Sequence, residues 1–217
     1  MIKVSAFRWV PDFARGLVRD LRVRWALEEA GLPYEARLIG TADQKSEAYR
    51  AMQPFGQVPV YEEDGLVLFE SGAIVLHIAE RSDVLMPSDS QDRARMTAWM
   101  FAALNSIEPH IQNLTAIDLF FAAEDWAKAR RPGALKMAET RLQALSDWLD
   151  GRDYLEDRFT AADLLMTTVL RVLRDTDKVA SRPVLAAYQR RCESRPAFAK
   201  ALADQLASFA QNASAAG

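Results

Sequence analysis

The chain has 217 residues, half of them hydrophobic and 26% charged, so it can form one large domain or two small ones with a substantial core. Its net charge of −3 argues against nucleic acid as the main partner. A single cysteine, Cys192, excludes a disulfide within the chain. Together with the lack of a signal-peptide pattern or a run of about 18 apolar residues, it favours a reducing, cytoplasmic setting with no membrane partner.

The first third of the chain alternates strand and helix patterns. Residues 2–7 and 34–39 alternate in hydrophobicity, as half-buried strands do. Between them, residues 20–30 are predicted to form a helix, which Asp20 can cap and which Gly31 ends. This order predicts two parallel strands joined by a right-handed crossover.

A short helical segment is predicted within residues 43–52, and a β-hairpin follows it. The strands "VPVYEE" and "LVLFE" flank Asp64-Gly65, a dipeptide that favours a type I′ turn. Ser71 can cap a helix that runs through "GAIVLHIAER". The hairpin therefore adds an antiparallel pair to the parallel one, in an α/β domain of order β-α-β-α-β-β-α.

The rest of the chain is predicted to be helical. Apolar residues recur every three or four positions along two long segments, which Pro132-Gly133 is expected to separate. Further on, Thr160 and Asp163 have the spacing of a capping box at a helix start. The predicted domains are an α/β domain at 1–81 and an all-helical domain at 93–217, joined by a polar linker at 82–92.

Two dipeptides in the hairpin region suggest a binding site. Pro59 removes one backbone donor at the start of a strand, so the backbone groups of Val58 can pair with an extended peptide, particularly if the Val58–Pro59 bond is cis. At the start of the next helix, Ser71 suits a carboxylate and Glu70 suits a neighbouring ammonium. A carboxylate and an ammonium on adjacent atoms describe the amino-acid end of a γ-glutamyl peptide. The simpler alternatives are an edge strand with no ligand and an ordinary helix cap.

These stretches resemble the cytosolic glutathione transferase family, in the family's order and over nearly the whole chain. The segment "QPFGQVPVYEEDGLVLFESGAIVLHIAE" is similar to its glutathione-binding half, and "LRVRWALEEAGLPYE" to its first helix and second strand. "FTAADLL" and "RRCESRPAFAKAL" resemble its later helical motifs. The resemblance implies a thioredoxin-like α/β N-terminal domain, an all-α C-terminal domain and a homodimer.

The resemblance also implies which residues bind glutathione. Val58, beside a cis Pro59, should bind the cysteine residue of glutathione through its backbone, and Glu70 and Ser71 should hold the γ-glutamyl end. Gln57, just before Val58, should offer a further polar contact, and either Gln44 or Lys45, in the second predicted helix, should reach the glycine carboxylate.

The sequence departs from the family where the glutathione thiol is activated. The family commonly has Tyr, Ser or Cys between its first strand and first helix, but the corresponding stretch "RWVPDFARGLVRD" has none of these and is longer than usual. Arg19, the indole N–H of Trp9 and the backbone N–H groups at the helix start are the available substitutes, of which Arg19 is preferred for its charge. Alternatively, Arg19 forms an ion pair with a neighbouring acid.

The expected function is that of a glutathione transferase, with glutathione as co-substrate and a small hydrophobic electrophile as second substrate. The alternatives are a binding protein of the same fold that does no chemistry, a glutathione-dependent isomerase and a peroxidase. With two histidines and one cysteine, the sequence has no metal-site spacing.

Overall fold

The computed structural model describes residues 1–212, which fall into two compact units. The first unit consists of Met1–Met86 and the described residues from Ser194 to the end of the last helix, and the second is Pro87–Glu193. The helix after Ser194 therefore groups with the strands rather than with the preceding helices. Within residues 1–212, no helix is both long enough and apolar enough to span a membrane.

The N-terminal part of the first unit follows the predicted order of strands and helices. Its elements are β1 (Ile2–Phe7), α1 (Asp20–Ala30), β2 (Tyr34–Ile39), α2 (Thr41–Lys45), α3 (Glu47–Met52), β3 (Val60–Glu63), β4 (Leu66–Phe69) and α4 (Ser71–Ala79). The predicted bounds of β1, α1 and β2 are confirmed, because clear hydrophobic alternation and a left-handed Gly31 mark their ends.

The four strands form one sheet in the order β2-β1-β3-β4. β1 pairs with β2 in parallel, and β3 pairs antiparallel with both β1 and β4, with Val60 opposite Phe69. Asp64 and Gly65 have φ angles of 48° and 88°, which confirms the predicted turn because type I′ requires positive φ at both positions. The sheet is therefore mixed, as the sequence indicates.

Two predicted helix caps in this unit are wrong. Asp20 is the first residue of α1 instead of its cap, and its fully buried carboxylate accepts a 2.8 Å hydrogen bond from Arg24 Nε. Ser71 is likewise the first residue of α4, and Glu70 occupies the cap position with a φ of 69°. Asp20 also accepts a hydrogen bond from Gln205, and Ser71 accepts one from Arg22, and these buried tertiary contacts offset the loss of a local cap.

The second unit is helical. Its helices are α5 (Ser90–Phe101), α6 (Glu108–Phe120), α7 (Asp125–Leu149), α8 (Ala161–Leu170) and α9 (Pro183–Glu193). Where one continuous helix was expected, a π-helical segment at Ala102–Ile107 separates α5 from α6. Pro109 explains this, because it has no N–H and its ring excludes the carbonyl four residues earlier.

The expected break at Pro132-Gly133 is wrong, because α7 continues through Pro132. Apolar side chains before and after the proline stay in phase on one face of the helix, where Ala127, Ala134 and Ala138 pack with residues of α6. This packing outweighs the cost of about 3 kcal/mol that a proline imposes inside a helix.

The predicted capping box at the start of α8 is confirmed. Thr160 N–H donates to Asp163 Oδ2 over 2.9 Å, and Ala162 N–H donates to the Thr160 hydroxyl. Asp163 also accepts hydrogen bonds from Leu155 N–H and the Tyr188 hydroxyl. Burial nevertheless raises the pKa of the Asp163 carboxyl to about 6.

The last helix, α10 (Pro196–Gln211), packs on α1 in the first unit. Gln205 Nε2 donates to Asp20 Oδ1 over 2.7 Å, and the rings of Trp25 and Phe198 lie edge to face with centroids 4.8 Å apart. These buried contacts hold α1 in place from the side of α10.

Candidate functional site

The two dipeptides singled out in the sequence lie next to each other at one end of the β3–β4 hairpin. Val58 and Pro59 directly precede β3, while Glu70 and Ser71 directly follow Phe69, the residue opposite Val60. The Val58–Pro59 peptide bond is cis, as the family resemblance implies. The hairpin register therefore places together the backbone and the side chains proposed to bind one peptide.

Val58 has a buried side chain, and its backbone groups have no partners among the described residues. Its side chain packs with Ile39, Tyr49 and Val60 in an apolar cluster of the first unit. Within residues 1–212, neither its N–H nor its C=O has a hydrogen-bond partner. Because backbone groups away from water are almost always paired in proteins, these two groups are suited to pairing with a bound peptide.

Ser71 is held by a charged side chain from α1. Arg22 Nη1 donates to Ser71 Oγ over 3.2 Å, and both residues are buried. Because the Ser71 oxygen accepts this bond, the hydroxyl proton remains available to donate to a ligand. A positively charged guanidinium and the N-terminus of α4 thus lie at the same point, which suits a carboxylate.

Glu70 presents its carboxylate to solvent. Its side chain is exposed and, among the described residues, makes no hydrogen bond or ion pair. Its carbonyl accepts from Ile74 N–H, as expected of a residue at the cap position. A free carboxylate beside Ser71 is suited to an ammonium group on the atom next to a bound carboxylate.

The three further polar residues have different positions. Gln44 Nε2 already donates to the Gly56 carbonyl, while the exposed Lys45 has no ion pair in the described chain. Gln57 has an exposed side chain, and its carbonyl accepts a hydrogen bond from Tyr49. Gly56 has a φ of 63°, and a Cβ there would lie 3.2 Å from the Gln44 carbonyl, so glycine fits this close approach.

The two residues predicted to activate the thiol lie before and at the start of α1. Arg19 is half-buried, occupies the N-cap position and is three residues before Arg22, so the two arginines share a face of the helix. Trp9 is 38% exposed in the loop after β1. The N–H groups of Leu21 and Arg22 are bonded within the first turn, which leaves the side chains as the better candidates.

Sequence reasoning missed Arg22 and Tyr49 as residues of this site. Each contacts a site segment more than five residues away in sequence: Arg22 contacts Ser71, and Tyr49 contacts the Gln57 carbonyl. Neither belongs to a local motif, although the spacing of Arg22 from Arg19 places both on one face. In the part of the chain that the structure describes, no group of three or more His, Cys, Asp or Glu side chains is placed to bind a metal ion.

Comparison with known proteins gives a consistent result. The family model described as glutathione S-transferase, N-terminal domain, matches residues 14–80. A glutathione S-transferase of Hyoscyamus muticus is 31% identical over 202 residues, covering 84% of this chain and 92% of that protein. The maleylacetoacetate isomerase of Rhizobium meliloti (strain 1021) is 35% identical over 195 residues, covering 85% of this chain and 91% of that protein.

The fold is also shared with solved structures. The crystal structure of glutathione transferase F7 from Populus trichocarpa is 25% identical, with a TM-score of 0.79. The match covers 94% of this chain and 99% of that one. The predicted fold class, a thioredoxin-like N-terminal domain followed by a helical one, is confirmed.

Proposed function

We propose that this chain, which belongs to the glutathione S-transferase family, binds glutathione at the β3–β4 hairpin and activates its thiol for attack on a small hydrophobic electrophile. The observation that carries the proposal is that the Val58 backbone groups, next to Glu70 and Ser71, have no hydrogen-bond partner in the described part of the chain. In this arrangement the cysteine residue of glutathione pairs with Val58. Its γ-glutamyl carboxylate and ammonium bind Ser71 and Glu70, and Lys45 is the candidate for its glycine carboxylate.

The thiol must lose its proton before it can react. Lowering its pKa from about 8.5 to about 6.5 requires about 2.7 kcal/mol. A guanidinium about 4 Å from the sulfur supplies about 4 kcal/mol at an effective dielectric constant of 20. A guanidinium at that distance therefore suffices in magnitude, and we assign this role to Arg19, to which Trp9 can add an indole N–H donor. The thiolate then forms a carbon–sulfur bond as the leaving group departs with the electron pair of the broken bond.

The test combines binding, titration and turnover. Calorimetry with glutathione measures binding, and ultraviolet titration of the complex measures the thiol pKa. We expect a thiol pKa well below 8.5, a higher value in Arg19→Ala, and conjugation of aryl halides. Failure to bind glutathione at millimolar concentration contradicts the proposal. Binding with an unshifted thiol pKa indicates instead a binding protein without catalysis.

A second candidate activity is glutathione-dependent isomerisation. It is favoured by the 35% identity to the maleylacetoacetate isomerase over 85% of this chain. The same thiolate would add to a double bond and leave again after rotation, so glutathione would be recovered. Turnover of maleylacetoacetate with catalytic rather than stoichiometric glutathione distinguishes the isomerase from the conjugating enzyme.

We further propose a homodimer in a reducing, cytoplasmic setting. Four apolar side chains on β4 and on the loop before β3 are exposed: Phe55, Leu66, Val67 and Phe69. Phe55 is the most exposed of them, at 66%. The rings of Phe55 and Phe69 lie 6.3 Å apart, so they form one patch that a second copy can cover. Cys192 is buried and takes part in no disulfide, which is consistent with a reducing compartment. Analytical ultracentrifugation of the wild type and of Phe55→Ser tests the dimer, which the variant should weaken.

A further inference from the structure

A chain of hydrogen bonds supports the loop that carries Val58. The N–H of Val60 donates to the Ser5 hydroxyl over 2.7 Å, and this hydroxyl lies 2.8 Å from the Tyr49 hydroxyl. Tyr49 Oη in turn donates to the Gln57 carbonyl over 2.7 Å. Ser5 on β1 and Tyr49 on α3 are 1% and 2% exposed, so water competes little with these bonds.

The proton positions in this chain are fixed by simple counting. The Gln57 carbonyl can only accept, so the single proton of Tyr49 must point towards it. Ser5 therefore donates its own proton to Tyr49 while its oxygen accepts from Val60 N–H. Every donor in this series of hydrogen bonds has one acceptor, and hydrogen bonds aligned in this way strengthen one another. Burial also raises the pKa of Tyr49, which keeps its hydroxyl protonated.

The two ends of this series of hydrogen bonds lie on either side of Val58 and Pro59, the residues proposed to face the ligand. One end holds the carbonyl of Gln57, directly before Val58, and the other holds the N–H of Val60, directly after Pro59. Between them, the Val58 backbone groups have no partner among residues 1–212. The side chain of Val58 packs in the same apolar cluster as the Tyr49 ring.

We propose that Ser5 and Tyr49 are positioning residues of the glutathione site. Their hydroxyl groups fix the backbone on both sides of Val58-Pro59, so that the Val58 N–H and C=O point at the main chain of the ligand. This inference rests on the proposed function, because it assumes a peptide that pairs with Val58. It assigns to Ser5 a role other than thiol activation, since both its proton and its oxygen are already engaged.

The test uses three conservative variants of the full chain. Tyr49→Phe and Ser5→Ala each remove one hydroxyl of the bonded chain and retain the packing around it. Tyr61→Phe is the matched control, since Tyr61 is a fully buried tyrosine next to Val60 whose hydroxyl bonds instead to Glu63. Should one of the two test variants fail to fold, the other still removes a link of the same chain.

Two peptides separate positioning from general stability. Calorimetry compares glutathione with an analogue whose cysteine amide nitrogen is methylated, which cannot donate a hydrogen bond to the Val58 carbonyl. The wild type should prefer glutathione. In Tyr49→Phe and Ser5→Ala this preference should fall about fivefold, the effect of one neutral hydrogen bond, whereas Tyr61→Phe should keep it.

The possible results are distinct. The positioning role is overturned if both test variants prefer glutathione over the methylated analogue as strongly as the wild type does, even if both peptides bind more weakly. A wild type that binds both peptides equally well also overturns it, because Val58 then pairs with neither. A wild type that binds neither peptide contradicts the proposed function itself, together with the inference that rests on it.

Discussion

Arg22→Met tests how the γ-glutamyl end of glutathione is recognised. Arg22 Nη1 lies 3.2 Å from Ser71 Oγ, and both residues are buried in the first unit. Methionine retains an unbranched apolar stem but has neither the donor nor the charge. Without Arg22, the Ser71 hydroxyl is free to rotate, and a ligand carboxylate loses a nearby positive charge.

The size of the effect follows from the contact. Hydrogen bonds that involve a charged group contribute about 1.5–3 kcal/mol. The contact between Arg22 and Ser71 exists with and without ligand, so the loss of affinity comes from the hydrogen bond that the Ser71 hydroxyl donates to the ligand carboxylate. Because Arg22→Met keeps this hydroxyl and removes only what holds it, the lower value applies. About 1.5 kcal/mol corresponds to a roughly tenfold weaker affinity for glutathione.

Calorimetry with two peptides measures this loss. The second peptide is γ-aminobutyryl-cysteinyl-glycine, which lacks the α-carboxylate that Ser71 is proposed to bind. We expect Arg22→Met to bind glutathione about tenfold more weakly and the analogue with unchanged affinity. Arg22→Lys, which retains a charge, should lose less. Equal losses for both peptides, or no loss for either, refute the proposed role of Arg22 and Ser71.

Three further predictions concern stability. Burial raises the pKa of the Asp163 carboxyl from 3.8 to about 6, so the folded state binds this proton more tightly than the unfolded chain does. The free energy of unfolding in urea, compared with that of Asp163→Asn, should therefore fall by about 3 kcal/mol as the pH rises from below 4 to above 6. Arg24→Met leaves the buried Asp20 carboxylate without its ion pair and should lower the free energy of unfolding in urea by about 3–5 kcal/mol. The double variant Asp20→Leu/Arg24→Met, which also removes the carboxylate, should recover most of this loss. Pro132→Ala restores a backbone donor inside α7 and should raise the free energy of unfolding by about 1–3 kcal/mol.

Each of these predictions has a clear contrary result. For Asp163, stability that rises with pH relative to Asp163→Asn means that the hydrogen bonds to the carboxylate outweigh its burial. Asp157→Asn, an exposed position in the loop before α8, is the control. For Arg24, a double variant as unstable as the single one means that the loss comes from packing. For Pro132, lower stability in Pro132→Ala means that the proline shapes the helix contacts.

The local pattern of the sequence predicts the elements of the first unit well. Residues 2–7, 20–30 and 34–39 have the predicted bounds, because alternation and a left-handed glycine act over a few residues. The predicted caps failed where burial decides the outcome. Asp20 and Ser71 lie at helix starts, but their side chains bond to Arg24 and Arg22 instead.

The second unit shows the same division between local and tertiary effects. The Thr160–Asp163 box was predicted correctly, since its hydrogen bonds span three residues. The predicted break at Pro132 is wrong, because the packing of α7 on α6 is not visible in a local stretch of sequence. In the candidate site, Val58 and Ser71 follow from motifs, whereas Tyr49 and Arg22 depend on contacts that only the fold creates.

The two faces of α1 suggest how the site can do without a hydroxyl at the start of this helix. At 100° per residue, Asp20 and Arg24 lie on one face, while Arg19 and Arg22 lie on another about 150° away. Gln205 of α10 donates to Asp20 on the first face, and the second face carries the guanidinium that contacts Ser71. Because this bond to α10 limits the rotation of α1 about its own axis, Arg19 is held on the face of α1 that carries Arg22. We propose that Arg19, held in this way, stabilises the thiolate without a hydroxyl nearby, so that α10 contributes to the proposed site as well as to the fold of the first unit.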